Sequence, residues 1–406
     1  MNALGWLSSL AGIVALSLGT APAWAQKKYD PGASDTTIKI GQTMPYSGPA
    51  SAYGTIGKAE AAYFAMINEQ GGINGRKIEF VSLDDGYSPP KAVEMARRLV
   101  EQDQVLFLFG PLGTPSNTAI QKYMNAKKVP QLFVATGAAK WNDPKHFPWT
   151  MGWQPNYHTE GRIYAQHILK TKPDAKVGIL YQNDDFGKDY VSGVHEGLGD
   201  KAKSMIVSEV SYEVTDPTVD SQIVALQGSG ADTFVNVATP KFAAQAIRKT
   251  FDIGWKPVQY LTNVSVGVAS VMQPAGLEKG VGIISSAYLM EPTDPAWQDT
   301  QAMKDWRAWM QKYYPDGSLN DNTNVYGYTV AQTVVQVLKQ AGDDLTRANV
   351  MKQAASLKDF APTTIIPGIR INTSASDFAP IESVQLTRFD GKSWVRFGDV
   401  MGDSAK

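Results

Sequence analysis

The chain has 406 residues, with 38 Lys plus Arg against 39 Asp plus Glu and a formal net charge of −1. That balance offers no basic face for nucleic acid or an anionic membrane, while 43% hydrophobic and 19% charged residues describe a globular chain of two or three domains. It contains no cysteine, which rules out disulfides, thiolate-held zinc, thiol nucleophiles, iron–sulfur clusters and a lipid anchor on an N-terminal Cys.

Leu4 to Leu18 is almost wholly apolar, and small residues follow up to Ala23-Trp24-Ala25. These are the apolar stretch and A-x-A cleavage site of an export signal over residues 1–25. Gln26 is then the expected mature N-terminus and the periplasm the expected location, although Met1-Asn2-Ala3 carries no Lys or Arg. The alternative is an N-terminal membrane anchor. It asks for about 20 apolar residues, more than this run supplies.

From Ile38 onward, short β-type runs alternate with helical patterns. Ile38–Met44, Ile78–Leu83, Val105–Phe109 and Leu132–Ala135 read as strands; Ile56–Asn68, Pro89–Glu101 and Ser116–Ala126 read as helices. After an aromatic, proline-containing stretch the pattern restarts. Helices are expected over 160–170, 188–198, 217–227 and 240–251, and strands over 177–181, 205–212, 233–238 and 258–261. Two long helical patterns follow, near 299–312 and 323–339, and a hairpin is expected over 381–400 around Asp390-Gly391-Lys392. The order βαβ, repeated, predicts α/β architecture with two Rossmann-like lobes, each a doubly wound parallel sheet. Composition and spacing by themselves place one boundary near residue 155.

Ligands of such sheets sit at the carboxyl ends of the strands, which directs attention to the loops there. After the first strand, Tyr46, Ser47 and Tyr53 stand on a glycine-rich loop suited to a small molecule, or to an ordinary turn. After the third, Gly110-Pro111-Leu112-Gly113-Thr114 leads into a helix whose free N–H groups favour an anion; plain capping by Thr114 or Ser116 is compatible with this. After the fourth, Thr136, Ala138, Ala139 and Trp141 offer open backbone and an aromatic wall, or a packing role for Trp141. Asp84-Asp85 suits a turn better than paired acid–base chemistry. His146, His158, His167 and His195 fall at no metal-ligand spacing, and P-loop, dinucleotide and Gly-x-Ser-x-Gly motifs are absent. No cofactor, metal or catalytic residue is expected.

Ser47-Gly48-Pro49…Gly54, Asn68-Glu69-Gln70-Gly71-Gly72-Ile73-Asn74-Gly75-Arg76, Asp84-Asp85 with Pro89, the Gly110 loop and Asp185-Phe186-Gly187 together resemble the leucine/isoleucine/valine-binding protein family. These are type I periplasmic receptors of ABC transporters, and the resemblance runs from about Thr37 to the C-terminus. It implies three interlobe crossovers, with one lobe of residues 26–155 plus 288–370 and the other of 156–287 plus 371–406. The implied partners are a small-molecule ligand and a membrane permease, and the chain is expected to act as a monomer.

By position, the resemblance puts Thr114 at the ligand carboxylate, Ala138 and Ala139 on the neighbouring carboxylate loop, and Phe186 over the ligand from the second lobe. Departures are as informative. The usual small disulfide would join Tyr87 and Gly113, a second-lobe tyrosine is replaced by Thr239, and the glutamate that pairs with an ammonium is replaced by Val264, beside Asn263 and Ser265. An unpaired buried ammonium costs several kcal/mol. The expected ligand is therefore a carboxylate with an aromatic or apolar body, unless another acid such as Asp185 or Glu291 reaches the cleft. The alternatives are an amino-acid receptor, a periplasmic sensor subunit and, last, an enzyme on the same scaffold.

Overall fold

The computed structural model of the protein describes residues 27–402; the expected export signal and Gln26 lie outside them. Two parallel sheets form the frame. The first comprises β1 (Thr37–Met44), β2 (Lys77–Asp84), β3 (Phe107–Phe109), β4 (Gln131–Val134) and β5 (Thr150–Gly152), in the order β2-β1-β3-β4-β5. The second comprises β6 (Val177–Gln182), β7 (Ile206–Tyr212), β8 (Thr233–Val237), β9 (Val258–Leu261), β10 (Ile284–Ala287), β11 (Ser383–Phe389) and β12 (Trp394–Gly402). Its order is β7-β6-β8-β9-β10, extended by the antiparallel hairpin β11-β12. Both sheets thus repeat one winding, the second strand beside the first and the others on the far side. Each therefore has a switch point beside its first strand, where a ligand crevice forms.

Strands β3, β4 and β8 are buried along their whole length. Helices cover both faces, as continuous apolar strands require. Helix α1 (Gly54–Glu69) buries Ile56, Ala59, Tyr63 and Ile67, the stripe expected of a one-sided helix. The remaining helices that matter here are α2 (Pro89–Arg97), α3 (Thr114–Lys127), α4 (Tyr157–Thr171), α5 (Asp185–Leu198), α6 (Asp220–Gly228), α7 (Pro240–Asp252), α8 (Gln301–Tyr313), α9 (Asn322–Ala341) and α10 (Arg347–Ala354). A Cβ at Gly193 would lie 2.0 Å from the His158 carbonyl oxygen and one at Gly161 would lie 2.6 Å from that of Tyr190, so small residues let α4 and α5 touch backbone to backbone.

The chain passes between the sheets three times: after β5, after β10, and before β11. The last passage falls late. Residues 372–380 bond to first-lobe groups, with the Phe378 N–H donating to Asn142 and the Thr373 N–H to the Leu357 carbonyl. Among the elements labelled above, β5, β10 and α10 escaped the sequence patterns. β5 and β10, of 3 and 4 residues, are too short to show a period, and α10 has only 8 residues. No helix among the described residues is long and apolar enough to cross a membrane.

Candidate functional site

The carboxyl ends of the two sheets face each other across a cleft that leaves about 910 Å³ free of protein atoms, its mouth included. The first-lobe side is built at the end of β3. Gly113, at φ 97°, turns the chain into α3, and no side chain caps that helix. The N–H groups of Thr114 and Ser116 are therefore left without an intrahelical or side-chain acceptor, Pro115 having none and the Asn117 N–H donating to the Gly113 carbonyl at 3.0 Å. Thr114 is 2% exposed, and its Oγ1 lies 2.5 Å from Thr136 Oγ1. Gly113 is needed for space as well as conformation: a Cβ there would stand 2.5 Å from Cε2 of Tyr87. Tyr87 itself sits at φ 60°, with its N–H donating to Asp85 Oδ1 at 2.8 Å. Ring against glycine occupies the two positions that the family resemblance joins by a disulfide.

The second-lobe side rests on a buried acid of α4, Glu160. It accepts from Tyr190 Oη at 2.6 Å, from the Asn263 N–H at 3.0 Å, from Asn263 Nδ2 at 2.6 Å, and from Tyr164 Oη. Burial pushes its carboxyl up to about 7, against the pull of these donors. The result is a fixed turn after β9, from Thr262 to Val266, with Val264 facing the first lobe. Tyr53 Oη donates to the Val264 carbonyl at 3.0 Å, tying the lobes together. Thr239, 3% exposed, donates its N–H to Tyr212 Oη at 2.9 Å. Phe186, 2% exposed, packs edge-on to Tyr157 with ring centroids 5.0 Å apart.

Further contacts hold the lobes closed. Gln182 Nε2 donates to Tyr87 Oη at 3.3 Å, the Ala139 N–H donates to Asp189 Oδ2 at 2.7 Å, and Lys140 Nζ lies 3.0 Å from Asp185 Oδ2. Burial pushes the Asp189 carboxyl up from its ordinary value, partly offset by the Ala139 N–H.

Of the residues singled out from the sequence, Tyr53, Leu112, Gly113, Thr114, Phe186, Thr239, Asn263 and Val264 line the cleft. Six do not. Tyr46 turns its hydroxyl to Ser82 Oγ at 2.6 Å and packs over Gly54 and Gly57. Ser47 is held by Asp84, whose Oδ2 accepts from Ser47 Oγ at 2.6 Å, so Asp84 organises the turn instead of doing chemistry. Thr136, Ala138, Ala139 and Trp141 border a separate small pocket behind the cleft. There the Ala139 N–H is spent on Asp189, and Trp141, 2% exposed, is core.

The cleft also contains residues that the sequence did not suggest: Tyr157, Tyr288, Tyr326, Thr387 and Trp394, which come together from distant segments. Glu291 lines it too, only 5% exposed, and burial pushes its carboxyl up to about 8. An acid does reach the cleft, therefore, at a position other than Val264. Asp185 does not; it pairs with Lys140 at the rim. Each histidine has its own partner elsewhere, and no group of three or more His, Asp or Glu suited to a metal occurs among the described residues.

A sequence profile of the periplasmic binding protein family matches residues 37–393. A Leu/Ile/Val-binding protein homolog of Brucella suis is 23% identical over 341 residues, covering 80% of this chain and 85% of its own. Among solved structures, a branched-chain amino acid ABC transporter protein of Thermus thermophilus with bound valine superposes with a TM-score of 0.82 at 16% identity, over 92% of this chain and 98% of the other. A solute-binding protein of an ABC transporter from R. palustris in complex with benzoate gives 0.75 at 21% identity, over 91% and 98%. The chain belongs to the periplasmic binding protein family and has the two-lobed α/β fold of its type I members.

Proposed function

We propose that this chain is the solute receptor of an ABC importer, working as an exported monomer in the periplasm, and that its ligand is a small carboxylate with an aromatic or apolar body. The uncapped start of α3 at Gly113–Thr114 carries the proposal, because it opens into a cleft walled by Tyr53, Tyr87, Tyr157, Phe186, Tyr288 and Tyr326. Backbone N–H groups and the positive end of a helix stabilise an anion without bringing a counter-charge. The rings supply apolar area, worth about 25 cal/mol for each Å² removed from water. The first lobe would hold the acid and the second close over it, with Tyr53–Val264 and Lys140–Asp185 among the contacts that form. Closure shifts a pre-existing equilibrium, and the closed form is what a permease would recognise. Lobe membership would follow the sheets: 26–155 plus 288–370, and 156–287 plus 371–406, with 372–380 draped on the first lobe.

The fold accommodates both an amino acid and an aromatic acid in its relatives, so the choice rests on the cleft. Val264 brings no charge, and Glu291, raised to about 8, is mostly neutral at pH 7. The amino-acid reading is the rival, favoured by the presence of Glu291. Calorimetry of benzoate and hexanoate beside leucine and valine decides between them. Acids in the micromolar range, with amino acids at least about a hundredfold weaker, are expected. Equal or tighter leucine binding would sink the carboxylate reading.

A further inference from the structure

The cleft wall carries polar groups besides the start of α3. Glu291 stands between β10 and α8, with its Oε1 accepting from the Thr293 N–H at 3.2 Å and from Thr293 Oγ1 at 2.8 Å. Thr387 Oγ1 and Tyr326 Oη are among the hydroxyls lining the same cleft that have no protein partner, although their residues are only 1% and 8% exposed. Leaving a buried polar atom unpaired is costly, because its hydration is lost with nothing in return. Unpaired hydroxyls are what remain when a ligand is meant to complete the network.

The charges around Glu291 set its character. Asp294 lies in the turn after it and Asp321 caps α9; both raise its carboxyl, after burial. Arg396 of β12 is 3.5 Å from Asp294 Oδ2 and stacks 3.8 Å over the Trp297 ring, and Arg307 of α8 donates to the Pro292 carbonyl at 3.0 Å, so both cations at this turn are already engaged. Nearby Thr323 Oγ1 is committed to Thr55 at 2.7 Å and Asp321 at 2.8 Å. A carboxyl kept neutral in this company donates a proton to an oxygen and accepts through its other oxygen.

We propose that Glu291, with Thr387 and Tyr326, is a second anchor of the cleft that takes a neutral oxygen on the body of the ligand, so that the preferred solute is a hydroxy or oxo acid. A ligand hydroxyl would accept from Glu291 and donate to Thr387 Oγ1 or Tyr326 Oη. The inference rests on the carboxylate reading above and narrows it.

The test is calorimetry at pH 7 with two matched sets: benzoate against 3- and 4-hydroxybenzoate, and hexanoate against 6-hydroxyhexanoate, with 4-aminomethylbenzoate as the charged comparison. The readout is the affinity ratio of oxygenated to parent acid, in the wild type, Glu291→Ala, Glu291→Gln and Thr387→Val, each checked for folding by its melting curve. In the wild type at least one oxygenated acid should bind tenfold or more tightly than its parent. The ratio should fall to about one in Glu291→Ala, fall partway in Thr387→Val, and stay within threefold of wild type in Glu291→Gln, whose amide donates and accepts without charge. A wild-type ratio near one, or a ratio unchanged in Glu291→Ala, would overturn the proposal. So would the amine-bearing acid binding tightest with the Gln variant as impaired as the Ala variant, since that assigns Glu291 to a cation. If no acid of either set binds the wild type, the carboxylate reading itself fails, and this second anchor fails with it.

Discussion

Glu160, beneath the second-lobe wall, and Glu291, lining the cleft, are both buried glutamates, 1% and 5% exposed, and both carboxyls are pushed up by burial, to about 7 and about 8. Their surroundings differ. Glu160 is surrounded by donors from three elements (Tyr164, Tyr190 and both nitrogens of Asn263), whereas Glu291 receives only its near neighbour Thr293. A saturated acid fixes the backbone around it. An acid with capacity to spare, in the same cleft as unpaired hydroxyls, is available to a guest. Burial alone therefore does not mark a ligand group; the count of protein partners does.

The comparison breaks at Glu160. Glu160→Ala strips both nitrogens of Asn263 of their acceptor, while Tyr164 Oη keeps the Leu261 carbonyl and Tyr190 Oη keeps Thr262 Oγ1; at about 1–3 kcal/mol for each orphaned group the loss of stability should reach about 2 kcal/mol or more. Chemical denaturation measures it; a loss under about 1 kcal/mol would show that the network is ornamental.

Glu291→Gln should act in the opposite direction. A carboxyl whose folded value is raised keeps its proton in the folded chain after the unfolded chain has released it. Its contribution is full below the ordinary glutamate range and is lost as pH rises through about 8. The Gln variant has no proton to lose, so its gain over wild type should be small at pH 5 and roughly 4 kcal/mol near pH 8. Melting curves across that window check this, and a gain independent of pH would contradict it. The wild type itself should melt lower at pH 8 than at pH 5, with Glu160 contributing in the same sense.

At the other end of the cleft, Thr114→Ala removes one hydroxyl from the proposed anion site, and acid binding should weaken by about 1–3 kcal/mol. An unchanged affinity would move the carboxylate away from α3. The smallest effect belongs to Lys140→Ala. The Lys140 and Asp185 side chains are 32% and 49% exposed, and such a pair contributes about 0.2–1 kcal/mol, screened by salt. A modest loss of affinity that shrinks further in 0.5 M salt is expected; a tenfold loss would make this bridge a principal latch.

Much of the frame was legible because its signals are local. Apolar runs at 105–109 and 233–238, proline at the start of α2 and α7, and the Asp390-Gly391 turn each declare an element from a few adjacent residues. The Gly113–Thr114 turn was legible for the same reason. Thr136 to Trp141 carried a similar small-residue signal at a similar strand end, yet the structure spends that loop on Asp189 and on core packing. What separated the two loops was an acceptor contributed by α5, 50 residues further along.

The sequence by itself determined the alternation of strands and helices, the restart that makes two like-wound sheets, and the loops at their carboxyl ends. Only the tertiary structure decided which of those loops face the cleft and which acid joins them. Tyr326 and Thr387 lie on α9 and β11, and Glu291 in a crossover, so no periodicity connects them to Thr114. Side chains far apart in the chain share a cavity only once two lobes fold and close, and closure is set by the packing of both lobes together, which no local pattern encodes.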